Sequence, residues 1–129
     1  MNNRNTFIIA ELSANHNNNF DLAIKTIHEM AKAGADAVKV QTYTADSLTL
    51  DVDNEYFGPR KSGLWKGRRP YELFQEGSLP YEWHEPLKRA TEKLGLTFFS
   101  TPFDKNGVDF LENLNVPIYK IASLKITDI

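Results

Sequence analysis

Residues 34–44 read GADAVKVQTYT, and the fold is decided there. Gly34 is suited to the left-handed stop of a preceding helix, and Ala37–Val40 is the short apolar run of a strand buried on both faces. Lys39 interrupts that run and Gln41 follows it. Side chains two apart on a strand point the same way, so this amine and this amide share one side. A cation in a sheet core needs something negative beside it. Polar groups at the C-terminal end of a buried parallel strand belong to the catalytic face of a (β/α) barrel.

The same ending recurs outward from this segment. Glu11 follows the apolar run at 6–10, Ser100 and Thr101 follow LTFF at 96–99, and Lys120 and Ser123 lie in IYKIAS at 118–123. Between these strands the spacing predicts helices. Phe20, Ala23, Ile24, Ile27, Met30 and Ala31 recur on one helical face over 20–32. Trp83, Leu87, Ala90 and Leu94 do so over 81–94, with Gly95 as the stop and Pro86 expected to kink that helix or delay its start. A third helix spans 104–114 with Asp104 as its N-cap, and Pro117 precedes a fourth strand at 118–121. The order βα-βα-βα-β implies an α/β fold with a parallel sheet and right-handed crossovers. It reads as a partial (β/α)8 TIM barrel, the first four strands and three helices.

A complete barrel takes about 250 residues. The 129 residues here are expected to be the truncated N-terminal part of one, with unpaired backbone at the first and fourth strands. The alternative is a half-barrel completed by a second polypeptide or a second copy. Residues 42–79 form one long βα insertion inside this unit. Tyr56, Phe57, Trp65, Tyr71 and Phe74 argue against disorder there, and a short helix is expected around 71–76, folded over the site.

Composition narrows the partners. Fifteen Lys and Arg against 17 Asp and Glu give a formal charge of −2, which argues against a basic nucleic-acid surface. There is no cysteine, so disulfides and thiolate metal sites are excluded. No apolar run approaches the roughly 20 residues that span a bilayer, and the N-terminal apolar stretch is too short for a signal peptide. A soluble cytoplasmic protein without nucleic-acid or membrane partners is the expectation.

The polar strand ends suggest a site for an anionic small molecule. Glu11 can act as general acid or base, or it can pair with Lys39 or Lys120 for structure alone. Lys39, Lys120 and Ser123 suit a phosphorylated carboxylic acid, although a salt-bridged rim with a solvated serine has the same residues. Gln41 suits a sugar hydroxyl or amide. His16 is either a metal ligand or a hydrogen-bonded loop residue, and His28 and His84 are surface or packing residues.

FIIAELSANH (7–16), the segment 34–50, LTFFSTPFD (96–104) and PIYKIASLKITDI (117–129) together resemble the sialic acid synthase family, the nonulosonic acid synthases. The stretch 62–84, SGLWKGRRPYELFQEGSLPYEWH, resembles its pseudaminic acid synthase branch. The resemblance implies a (β/α)8 barrel that condenses phosphoenolpyruvate with an open-chain acetamido sugar and releases phosphate by C–O cleavage. Carried over by position, Glu11 handles a proton at the reacting centre, and Lys39, Lys120 and Ser123 hold phosphoenolpyruvate. Gln41, Tyr43 and Lys125 contact the sugar, and 42–79 contributes to its pocket. The family uses a divalent metal, manganese or magnesium, whose ligands are expected outside this chain, and the full-length protein is expected to be a homodimer. Lys125 stands where the family has Glu, a charge reversal, and Asn18 stands where it commonly has Gly. The 129 residues alone are expected to be inactive. The alternatives are an N-acetylneuraminate or legionaminate synthase fragment, and a non-catalytic half-barrel that binds a ligand or dimerises.

Overall fold

The computed structural model describes residues 6–127. Three parallel strands, β1 (Ile9–Glu11), β2 (Ala37–Thr42) and β3 (Thr97–Pro102), form one sheet in the order β1-β2-β3. Four helices follow the chain as α1 (Phe20–Lys32), α2 (Pro70–Gly77), α3 (Tyr81–Lys93) and α4 (Lys105–Asn113). Each strand extends past its apolar run to include the polar residues after it. The reason is that pairing is set by backbone hydrogen bonds to the neighbouring strand, not by side-chain polarity.

Local chemistry explains the helix ends. Asn19 caps α1 by accepting from the Leu22 N–H at 2.9 Å, and Asp104 caps α4 by accepting from Gly107 N–H at 2.7 Å. Gly34 and Gly95 close α1 and α3 with φ of 86° and 79°. Asn18, at φ 51°, adopts the left-handed turn expected of a residue replacing glycine. Pro86 lies inside α3, which starts at Tyr81 all the same, so the proline does not delay it. The carbonyl that Pro86 leaves without an intrahelical donor is that of Glu82, an exposed residue that water can serve.

The core sits between the sheet and the helices. Val38, Val40 and Phe98 from the strands pack with Ile27, Leu87, Leu111 and Leu12. Across the sheet the register pairs Glu11 with Lys39, Lys39 with Phe99, and Gln41 with Thr101.

The expected fourth strand is reduced to a single bridge. Tyr119 pairs with Ser100, and the Lys120 N–H donates to the Ser100 carbonyl at 3.0 Å. Pro117 offers no N–H before this point, and residues Ser123–Lys125 turn into a 3₁₀ helix after it.

The 42–79 segment is ordered by its own contacts. It carries a 3₁₀ turn at Ala45–Ser47 and α2, which starts with Pro70 in its first turn. Arg69 pairs with Asp51 at 2.5 Å, Arg68 pairs with Glu76, and the Tyr71 hydroxyl donates to Asp46 at 3.1 Å.

Candidate functional site

Alternation along the strands divides the polar residues into two sets. Val38, Val40 and Thr42 face the helices, together with Phe98 and Ser100. The opposite face carries Glu11, Lys39, Gln41, Phe99 and Thr101, with Tyr43 following at the end of β2. Tyr119 packs on the helix side and bonds Glu112 through its hydroxyl at 2.7 Å. Its neighbour Lys120 is exposed.

The centre of this face is an ion pair. Lys39 Nζ lies 2.5 Å from Glu11 Oε1. The Lys39 side chain is only 13% exposed, while that of Glu11 is 39% exposed. The cation is thus held in the sheet and the carboxylate reaches towards solvent. The carboxylate partners the amine.

The remaining expected residues are distributed more widely. Lys120 Nζ donates to the carbonyl of Ile121 at 3.0 Å, and Ser123 is exposed at the start of the 3₁₀ turn. Lys125 lines a cleft beside α4 with Pro102, Phe103, Asp104 and Ile121. Tyr43 lines a different cleft of about 650 Å³, between the loop after β1 and the 42–79 segment. Arg60, Trp65 and Phe74 share that second cleft. Tyr43 meets Phe74 and Phe103 edge-on at 6.3 and 5.5 Å, and burial raises its pKa, so the phenol stays protonated at neutral pH.

Ser100 and Thr101, adjacent in sequence, part company. Ser100 is buried on the helix side, where its hydroxyl donates to the Val40 carbonyl at 3.2 Å. Thr101 is 3% exposed on the Lys39 side, and its hydroxyl has no hydrogen-bond partner. An unpaired buried hydroxyl is unusual in a folded protein, and this one sits across the sheet from Gln41. Its placement depends on register, and no sequence signal separates it from Ser100.

The histidines fall into three settings. His28 is exposed on α1. His16 is fully buried against Trp83 at 5.7 Å, and its Nδ1 accepts from the Asn18 N–H at 3.1 Å. Its Nε2 has no hydrogen-bond partner, and burial lowers its pKa against a weaker opposing effect of the Gly77 backbone. His84 is fully buried within a polar network behind the sheet. Among the described residues no group of three or more His, Asp or Glu side chains could hold a metal ion. The described residues therefore gather no ligand set for the divalent metal that the resemblance implies.

The NeuB family profile matches residues 26–129. The pseudaminic acid synthase of Campylobacter jejuni is 48% identical over 125 residues, which cover 97% of this chain and 36% of that enzyme. That of Helicobacter pylori is 45% identical over 122 residues, covering 95% and 36%. Among solved structures, the N-acetylneuraminic acid (sialic acid) synthetase of Leptospira borgpetersenii, in complex with citrate, superposes with a TM-score of 0.76 at 32% identity. It matches 97% of this chain and 39% of its own. The chain thus spans about a third of the length of the curated relatives it matches.

Proposed function

The chain belongs to the NeuB family, and from that we propose that it is the N-terminal part of a pseudaminic-type nonulosonic acid synthase. The reaction joins phosphoenolpyruvate to an open-chain acetamido sugar and releases phosphate. One observation carries the reading: Glu11, Lys39 and Gln41 meet on one sheet face at the C-terminal ends of parallel strands. Two pseudaminic acid synthases at 48% and 45% identity favour that branch.

The roles follow from charge and burial. Lys39, mostly shielded from water, offers a concentrated positive charge to the carboxylate or phosphate of phosphoenolpyruvate, with Lys120 and Ser123 completing the grip. An anion bound at Lys39 competes with Glu11 for the amine. The carboxylate then becomes free to give or take a proton at the reacting centre. Gln41 and Tyr43 contact the sugar, and the cleft lined by Arg60 and Trp65 extends its pocket. Lys125, in the separate cleft beside α4, brings a cation where the resemblance has a carboxylate that contacts the sugar. The complete protein is a cytoplasmic homodimer in this reading, and the 129 residues alone give no turnover.

Titration of phosphoenolpyruvate into the protein tests the grip. Lys39→Ala should weaken binding by at least about tenfold, the scale of a lost charge-assisted hydrogen bond. Equal affinity would remove Lys39 from the site. In the enzyme that contains this chain, turnover of N-acetylmannosamine in preference to a diacetamido sugar would count against the pseudaminic branch.

A further inference from the structure

Behind the sheet, on the side away from Glu11 and Lys39, three fully buried polar side chains meet. Thr42 Oγ1 lies 2.8 Å from His84 Nε2 and 2.6 Å from Ser100 Oγ. His84 Nδ1 lies 3.1 Å from the Pro80 carbonyl, and Ser100 Oγ lies 3.2 Å from the Val40 carbonyl. These contacts leave one arrangement of protons. A carbonyl only accepts, so His84 Nδ1 carries the hydrogen that bonds Pro80. In the neutral ring Nε2 must then accept, and the Thr42 hydroxyl is its donor. Thr42 can only accept from Ser100, whose proton is shared between Thr42 and the Val40 carbonyl. Tyr81 and Phe110, with rings 5.6 and 5.1 Å from the imidazole, wall the network. Burial lowers the His84 pKa to about 4, so the neutral ring that this order requires is the form present at neutral pH.

The network ends where the site begins. Thr42 is the last residue of β2, flanked by Gln41 and Tyr43. Ser100 stands on β3 directly before Thr101. We propose that His84 is a positioning residue for the site: through Thr42 it fixes the ends of β2 and β3, and with them Gln41, Tyr43 and Thr101. This deepens the phosphoenolpyruvate reading and rests on it for its functional consequence. A fixed direction of donation from Ser100 through Thr42 to α3 leaves the strand ends one hydrogen-bonded geometry, and so preorganises groups on the far side.

Thr42→Val removes the hydroxyl at nearly constant volume, and Thr42→Ser keeps it. On the intact chain, nitrogen-15 NMR should show His84 as the Nδ1–H tautomer; an Nε2–H tautomer would overturn the proposal. Phosphoenolpyruvate binding should weaken about fivefold in Thr42→Val and return to within about twofold of the parent in Thr42→Ser, the scale of one net hydrogen bond. A Thr42→Val protein that binds like the parent, whatever its melting temperature, would leave the network a purely structural role. If the parent itself does not bind phosphoenolpyruvate, the substrate reading fails alone. Amide hydrogen exchange at Gln41 and Tyr43 then decides the positioning claim. Faster exchange in Thr42→Val, recovered in Thr42→Ser, supports it, and unchanged exchange sinks it.

Discussion

The Glu11–Lys39 pair is asymmetric, and its asymmetry sets what each substitution costs. Lys39 is the more buried partner. Glu11→Gln leaves that amine without its counter-charge in a poorly hydrated position, at a cost of about 2 kcal/mol, below the range for fully buried pairs because solvent reaches Glu11. Lys39→Met keeps the apolar stem and leaves a carboxylate that water can solvate, so the loss is at most about 1 kcal/mol. Urea unfolding of the two variants at neutral pH checks the order, and equal losses would contradict it. A cationic strand residue balanced by one exposed carboxylate suits an anion site, since a ligand can replace the carboxylate without leaving the lysine bare.

Among the elements, α3 is tied to the sheet by a bond that acid breaks. His84 has a folded-state pKa of about 4, with burial as the main cause. An unfolded histidine titrates near 6.5. As pH falls from about 6.5 towards 4, the unfolded state takes up the proton first, so stability is lost through that window and is fully present above it. Between pH 7.5 and 5, where most carboxylates remain ionised, the loss is about 2 kcal/mol from this group alone. His16, lowered in the same direction, adds to it. Urea midpoints across this range should fall, and flat midpoints would refute the assignment. The stop of α3 allows a cleaner test. Gly95 has φ of 79°, and a Cβ placed there would meet nothing within 4 Å. Gly95→Ala should therefore cost about 1 kcal/mol from backbone strain alone, read as a lower melting temperature.

Across the molecule as a whole, among the described residues, β1 has no strand on its outer side and β3 has only the single bridge at Tyr119. Ile8 and Ile9 are exposed along β1, and Ile121, Leu124 and Ile126 are exposed near the bridge to β3. Unpaired strand backbone beside apolar side chains is a template for association. These 129 residues should elute from size-exclusion chromatography as dimers or larger species. Ile9→Lys combined with Leu124→Lys should shift them towards monomer, and a monomeric parent would contradict the prediction.

Local pattern made much of this legible. The β and α periods, the Asn19 and Asp104 caps and the glycine stops are written in neighbouring residues, because a helix cap or turn involves only a few consecutive backbone groups. The likeness of Lys39 and Gln41 followed from the two-residue period of a strand. Contacts between strands were not legible. Ser100 and Thr101 look equivalent in the chain, yet one joins Thr42 behind the sheet and the other lies on the face of Lys39 and Gln41. Thr42 meets a histidine 42 residues away, and the expected fourth strand kept only its bridge at Tyr119. A period assigns residues to the same face, but which face is buried, and against what, depends on long-range register and on what packs there.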